Sequence, residues 1–98
     1  MIWRTGGIKS LDKYKIAETE NFSKKIDSKK YNHLYQKILL DVYPILKNNP
    51  YFGANIKKLK GEYKDVYRIR IGDYRLFYKI EGAMIFVIDI ERRQDAYK

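Results

Sequence analysis

The last third of the sequence alternates between apolar and polar residues, and this alternation constrains the fold more than any other feature. Residues 66–71, 74–81 and 84–91 each repeat with a period of two, which is typical of strands that bury one face. Gly72-Asp73 separates the first two runs by two residues, a spacing compatible with a tight hairpin turn. The pattern therefore predicts an antiparallel sheet of about three strands in the C-terminal half.

The residues before this sheet show mainly helical spacing. Residues 13–17 alternate and predict an N-terminal strand, after which Thr19 or Asn21 can cap a short helix. A second, longer helix is predicted over residues 30–46, and Pro44 is expected to kink or shorten its last turns. The apolar stripes of the two helices are Phe22 and Ile26, and then Leu34, Ile38, Val42 and Ile45.

These elements predict an α+β fold in which the two helices pack on one face of the sheet. Residues 51–65 are expected to form a loop and a lysine-rich connection, residues 1–12 an N-terminal extension, and residues 13–98 a single domain. The face predicted to receive the helices contains Tyr67, Ile69, Ile71, Tyr74, Leu76, Tyr78, Ile80, Met84, Phe86, Ile88 and Ile90. The opposite face gathers Arg68, Arg70, Arg75, Lys79 and Arg93, together with Asp89 and Glu91.

Composition limits the class of protein and of partner. The chain has 98 residues and no cysteine, which excludes disulfides, thiol nucleophiles and cysteine-ligated zinc. It shows no signal-peptide pattern and no apolar run of about 20 residues, so we expect a cytoplasmic domain. Its 21 basic and 12 acidic residues give a net charge of +9, which attracts nucleic acid or an acidic protein.

Charge density does not distinguish the C-terminal half. Residues 1–56 contain 10 basic and 5 acidic residues, and residues 57–98 contain 11 and 7, so the net charges are +5 and +4. What distinguishes residues 57–98 is the alternation that sorts several arginines onto one predicted face. The arrangement of charge therefore carries the functional signal.

Two segments of this sequence resemble the toxins of the RelE/ParE superfamily. Residues 66–78, VYRIRIGDYRLFY, resemble the central hairpin of these toxins, and residues 90–97, IERRQDAY, resemble their last strand and tail. Leu59-Lys60-Gly61 before the hairpin also fits, so the resemblance covers residues 13–97. It implies a RelE-like fold and a toxin encoded beside an antitoxin, its protein partner.

The resemblance is nearer to the RelE branch, whose members cleave mRNA in the ribosomal A site without a metal or a cofactor. The 2′-hydroxyl attacks the adjacent phosphate, which requires a base, an acid and cations beside the phosphate. Arginine suits the last role because its planar fork holds two phosphate oxygens. One alternative is ParE-like inhibition of DNA gyrase without catalysis, and another is a binding protein that works mainly with its antitoxin. The antitoxin is expected to lay an acidic or amphipathic segment across the basic sheet face or the helices.

The resemblance also assigns roles by position. It implies that Arg75 steadies the phosphate, that Arg93 is a catalytic arginine and that Tyr97 orients the target nucleotide. Arg68 and Arg70 stand where the founding RelE branch has two lysines. Because an arginine stays charged and cannot serve as a base, the general base is left unassigned.

Other candidate residues follow from the same face and the same resemblance. Asp89 and Glu91 are candidate substitutes for the missing base. The basic residues expected to contact RNA are Lys57, Lys58, Lys60, Lys79 and Arg92, the last of which stands where many relatives have histidine. His33 has no histidine or cysteine to join it as a metal ligand, so we expect it to lie on the surface.

Overall fold

The computed structural model of this chain describes residues 13–93. The N-terminal extension, residues 1–12, and Tyr97 lie outside the described residues. In chain order the elements are β1 (Lys15–Glu18), α1 (Glu20–Ile26), α2 (residues 32–48), β2 (Ile56–Lys58), β3 (Val66–Ile71), β4 (Tyr74–Glu81) and β5 (Met84–Arg92). A single 3₁₀ turn, Gly61–Tyr63, stands between β2 and β3. The predicted α+β class is confirmed.

The strands form one five-stranded mixed sheet in the order β1-β5-β4-β3-β2. The central hairpins β3-β4-β5 are antiparallel as predicted, whereas β1 joins the edge of β5 in parallel. β2 pairs antiparallel with β3 on the other edge. The expectation of about three strands is therefore too low, because β2 has only three residues and lies in the lysine-rich segment predicted to be a connection.

Thr19 fixes the point where α1 begins against the sheet. Its side-chain oxygen accepts the N–H of Phe22 at 3.3 Å, as the predicted cap requires, and its hydroxyl donates to the carbonyl of Val87 at 3.1 Å. The Asn21 side chain donates to the carbonyl of Ile88 at 2.8 Å. Val87 is the last residue of β5 that pairs with β1, and Ile88 follows it, so α1 begins where that pairing ends.

The long helix α2 passes through Pro44 instead of ending at it. Ile38–Val42 forms a π-helical turn, and an α-helical segment, Tyr43–Asn48, follows with proline in its first turn. Proline has no N–H to donate, and the wider π turn just before it lets the helix continue without that hydrogen bond. The helix consequently runs past the predicted end at residue 46 to Asn48.

The π turn also moves the apolar stripe of α2. A π turn holds more residues than an α turn, so the core contacts continue from Val42 to Leu46. Leu46 is fully buried, whereas Ile45 is 52% exposed. The assignment of Ile45 to the stripe is wrong, and Leu46 takes its place.

A β-bulge changes the faces of the last strand. Tyr78 pairs with Val87 and Phe77 pairs with Asp89, so Ile88 has no opposite residue. As a result Ile85, Val87 and Ile90 are the fully buried residues of β5. The predicted set Met84, Phe86, Ile88 and Ile90 is wrong in all but Ile90, because alternation does not reveal an extra residue. The core of the domain consists of Phe22, Ile26, Tyr31, Leu34, Ile38, Val42, Tyr43, Leu46, Ile69, Ile71, Leu76, Tyr78, Ile85, Val87 and Ile90.

A hydrogen-bonded cluster ties β1 to α2. The Glu18 carboxylate accepts the hydroxyls of Tyr35 at 2.8 Å and Tyr43 at 2.7 Å. Burial, and then the hydrogen bond to Glu18, raise the pKa of Tyr35 to about 12. The same two causes raise the pKa of Tyr43 further above its usual range.

This cluster predicts alkaline destabilisation. A tyrosine whose pKa is raised by folding contributes stability that is complete below about pH 10 and is lost as the pH rises through the folded value. We expect the difference in unfolding free energy between the wild type and Tyr43→Phe to narrow steadily above about pH 10. Urea denaturation at pH 8 to 11 measures it. A difference that stays constant over this range would contradict the assignment.

Candidate functional site

The sheet face turned away from the helices is called the open face here, and it carries rows of charged residues across the strands β2 to β5. In one row Arg70 on β3 stands opposite Arg75 on β4, which stands opposite Glu91 on β5. In the next row Lys57 stands opposite Arg68, followed by Phe77 and Asp89. Lys79 lies one row further, opposite Val66 and Phe86.

The register therefore places Arg68, Arg70, Arg75 and Lys79 on one face, as the alternation predicts. Arg70 and Arg75 are directly opposite one another, which is unfavourable for two like charges on adjoining strands. Glu91 on the far side of Arg75 offsets part of this repulsion. A row with excess positive charge on a half-exposed sheet is suited to an anion that several arginines hold together.

A groove of about 290 Å³ runs beside Arg75 on the open face. Its walls combine apolar and charged side chains: Leu59, Tyr63, Val66, Phe77 and Ile88, with Arg75, Asp89 and Glu91. Leu59 and Tyr63 come from the segment predicted to be a connection, and Ile88 comes from the bulge. Sequence reasoning missed all three, whereas Phe77 was detectable because it alternates with Arg75 and Lys79.

The two carboxylates of the groove are held by a lysine from α1. Lys25 Nζ lies 2.9 Å from Asp89 Oδ1 and 3.8 Å from Glu91 Oε2, with each of these side chains partly exposed. The same Asp89 oxygen also accepts the N–H of Ile90 at 2.8 Å. Asp89 is thus occupied by an ion pair and a backbone contact, and Glu91 is the carboxylate in register with Arg75. No feature of the sequence pattern distinguished Lys25 from Lys24, the other lysine of α1.

A model of the family described as "ParE toxin of type II toxin-antitoxin system, parDE" matches residues 15–97. The chain belongs to this family. It is the toxin of a toxin–antitoxin pair, and the predicted membership of the RelE/ParE superfamily is confirmed.

Solved structures of toxin–antitoxin complexes share the fold of this toxin. A chain of the RelBE2 complex from Mycobacterium tuberculosis is 20% identical, with 82% of this toxin and 98% of that chain aligned at a TM-score of 0.69. A chain of the RelE-RelB complex from Pyrococcus horikoshii OT3 is 23% identical over 83% and 96%, at a TM-score of 0.64. A chain of the RelB-RelE complex from Methanococcus jannaschii is 26% identical over 82% and 93%, at a TM-score of 0.62. The search of curated protein sequences found no significant match.

The other basic residues predicted for the site lie on the open face, on the helix side or in the connection after β2. Arg68 reaches from the open face toward β2, where its guanidinium donates to the Asn55 carbonyl at 3.2 Å. Lys60 is exposed in the connection after β2. Lys58 stands opposite Tyr67, with Nζ 5.8 Å from the ring centre, and therefore lies on the helix side. Arg92 stands opposite Tyr74 and also belongs to that side.

The end of β5 brings the last described arginine next to the β3–β4 turn. The Arg93 N–H donates to the Asp73 carbonyl at 2.6 Å, and the residue is exposed. Gly72, with a φ of +58°, makes this tight turn possible. Arg93 thus lies one residue beyond Arg92, which pairs with Tyr74 at the end of the β4–β5 ladder. His33 is exposed, and its ring centre lies 5.9 Å from that of Tyr74.

Over residues 13–93, no three histidine, aspartate or glutamate side chains are grouped closely enough to hold a metal ion. None of the helices in that same range is long and apolar enough to cross a membrane.

Proposed function

We propose that this toxin is an endoribonuclease that cleaves mRNA on the ribosome by attack of a 2′-hydroxyl on the adjacent phosphate. The observation that carries the proposal is the cross-strand row Arg70-Arg75-Glu91 beside a groove with an aromatic wall. The fold shared with the RelE-RelB complexes supports it. The mRNA and the ribosome belong to the cytoplasm, which is where we place the toxin.

The proposed reaction uses the arginine row to stabilise charge on the phosphate. The 2′-hydroxyl loses its proton and its oxygen forms a bond to phosphorus while the bond from phosphorus to the 5′-oxygen breaks. The 5′-oxygen takes up a proton from solvent, which leaves a 2′,3′-cyclic phosphate and a free 5′-hydroxyl. Arg75 holds two non-bridging oxygens with its fork, and Arg70 opposite it adds a second positive charge. Both arginines act most strongly when the pentavalent phosphorane carries its extra negative charge.

Three further residues complete the proposed catalytic group. Arg93 and Tyr97 take the roles that the superfamily resemblance gives them, those of a catalytic arginine and of a residue that orients the target nucleotide. Glu91 is the carboxylate we assign to the 2′-hydroxyl proton, because it stands next to Arg75 in register. Asp89 is less suited, since its Oδ1 atom already accepts from Lys25 and from the Ile90 N–H.

The proposal is tested in a cell-free translation reaction followed by primer extension. We expect wild-type toxin to produce cuts in translated mRNA, no cuts in the same mRNA without ribosomes, and loss of cutting with Arg93→Ala. Intact mRNA in the presence of folded wild-type toxin would refute the proposal. Full cutting by Arg93→Ala would remove that arginine from the catalytic group.

Inhibition of DNA gyrase is the second candidate. It is favoured by the ParE description of the matching family and by the arginines at positions 68 and 70, which cannot act as bases. A supercoiling assay with purified gyrase separates the two candidates. Loss of supercoiling at toxin concentrations that leave mRNA intact would establish gyrase as the target.

Lys25 is expected to keep the groove attractive to RNA by neutralising its carboxylates. Lys25→Met leaves Asp89 and Glu91 uncompensated beside Arg75 and is expected to weaken RNA binding by about fivefold, on the order of 1 kcal/mol for a partly exposed pair. The charge-restoring double variant Lys25→Met/Asp89→Asn should recover most of this loss, and Lys25→Arg should show little change.

The measurement is equilibrium binding to ribosomes programmed with a short mRNA whose 2′-hydroxyls are methylated, so that no cleavage occurs. Equal binding by wild type and Lys25→Met would contradict the electrostatic role. A double variant as weak as Lys25→Met would instead assign a purely structural role to the lysine.

The antitoxin is the expected protein partner. The open face carries an excess of arginine and lysine, and an acidic segment laid across it would complement that charge and cover Arg75. Such a segment would block the same residues that we assign to RNA.

A further inference from the structure

We propose that the groove beside Arg75 is a nucleobase subsite, in which Tyr63 and Phe77 contact the base of a nucleotide whose phosphate lies on the arginine row. This inference rests on the proposed RNA substrate and adds to it a specific place for one base. It also assigns a function to Tyr63, which the catalytic group does not use.

Tyr63 is an aromatic side chain presented to solvent at the rim of the groove. It is 61% exposed, whereas Tyr31, Tyr43 and Tyr78 are buried in the core. It ends the 3₁₀ turn Gly61–Tyr63 and contributes to the groove wall. An exposed ring beside a basic surface is the usual platform on which a base of single-stranded nucleic acid stacks.

The turn that carries Tyr63 has a defined backbone geometry. Gly61 is its first residue, with a φ of +73°, and Asp65 lies two residues after it with a φ of +71°, a region that residues other than glycine rarely adopt. Leu59 on the near side of the turn donates its N–H to the Val66 carbonyl at 2.8 Å. The backbone on both sides of Tyr63 is therefore defined by these two left-handed residues and by the bond from Leu59 to Val66.

The floor of the groove is apolar. Val66 is buried, and Phe77 and Ile88 are half-buried in the sheet, where Phe77 stands opposite Arg68. Arg75 is adjacent in the groove, and Arg70 stands opposite it. A ligand that suits this site needs a flat apolar part for the floor and an anionic part for the arginines.

A nucleotide of single-stranded RNA has both parts at a short, fixed separation. Its base fits between the Tyr63 ring and the Phe77 side of the groove, and its phosphate reaches the arginines. Stacking discriminates poorly between bases, because every base has a π-face. We therefore expect the subsite to strengthen binding at one nucleotide position without demanding one particular base.

The test combines a protein change with removal of the base. Wild type, Tyr63→Phe and Tyr63→Ala are compared in binding to ribosomes programmed with a short 2′-O-methylated mRNA. Each is also measured on matched mRNAs in which one A-site nucleotide at a time lacks its base. Phe52→Ala serves as the matched control, because Phe52 is an even more exposed aromatic residue, at 80%, and does not line the groove.

For the wild type we expect removal of one particular base to weaken binding by about 5- to 100-fold. Tyr63→Ala should lose a similar factor on the intact mRNA and lose nothing further when that base is removed. This non-additivity isolates the contact between the ring and the base. Tyr63→Phe and Phe52→Ala should bind as the wild type does.

Four results would overturn the inference. Equal binding of the wild type to intact and base-free mRNA at every position, or wild-type binding by Tyr63→Ala, would refute the subsite while leaving the nuclease function intact. Loss of antitoxin binding by Tyr63→Ala with unchanged mRNA binding would assign the groove to an apolar antitoxin side chain instead. Absence of any binding by the wild type would refute the proposed function itself, which the primer-extension assay reports independently.

Discussion

Arg75→Ala is expected to lower the rate of mRNA cleavage by about 10²- to 10³-fold, the range found when one preorganised donor to a developing oxyanion is removed. Arg75 combines several features of the open face. It stands between Arg70 and Glu91 in register, lines the groove and follows directly on the β3–β4 turn. Arg75→Lys should keep the positive charge but lose the two-pronged contact, and it should therefore restore only part of the rate.

The measurement is the single-turnover rate of cleavage on programmed ribosomes with toxin in excess. Lys37→Ala is the matched control, because it removes one positive charge from an exposed position on α2, away from the sheet. Thermal unfolding of both variants separates a loss of chemistry from a loss of folding. A rate for Arg75→Ala within about threefold of the control would remove Arg75 from the phosphate site, since one lost donor contact is worth far more than that.

Leu46→Ala is expected to lower the free energy of unfolding by about 2–5 kcal/mol, whereas Ile45→Ala should change it by about 0.5 kcal/mol or less. The two residues are neighbours of similar size on the same helix. Leu46 is fully buried in the core and Ile45 is half in solvent, because the π turn at Ile38–Val42 shifts the helix by one position before Pro44. The pair therefore tests the π turn as well as the core.

Urea denaturation monitored by circular dichroism at neutral pH measures both values. Equal losses of unfolding free energy for the two variants would mean that the buried stripe of α2 does not shift from Ile45 to Leu46. A larger loss for Ile45→Ala would restore the simple helical stripe that the sequence pattern predicts, and the π turn would have to be abandoned.

The sequence pattern was sufficient wherever the structure repeats regularly. The alternation over residues 66–81 predicted both the β3–β4 hairpin and the face that collects Arg68, Arg70 and Arg75, and the register confirms this. The cap at Thr19 and the buried residues of α1 were also predicted, because a cap and the first turn it starts involve only neighbouring residues. The family resemblance supplied the superfamily, which the family match confirms.

The sequence pattern was insufficient wherever one residue is added or a contact crosses the domain. The π turn and the β-bulge at Ile88 each add one residue to a regular element, and both moved the buried set away from the predicted one. The strand β2 and the parallel pairing of β1 depend on hydrogen bonds to distant strands. Local periodicity contains no information about an added residue or about pairing between distant strands.

The sequence by itself determined the class of fold, the arginine face and the family of this toxin, because these depend on periods of two and about four residues and on short motifs. Only the tertiary structure decided which groups share the groove. Tyr63 from a loop and Lys25 from α1 are about 40 positions apart in the chain, yet both reach the side chains around Arg75, Asp89 and Glu91. These contacts form because α1 and the segment between β2 and β3 pack onto the sheet. That packing depends on contacts between residues that are far apart in the sequence.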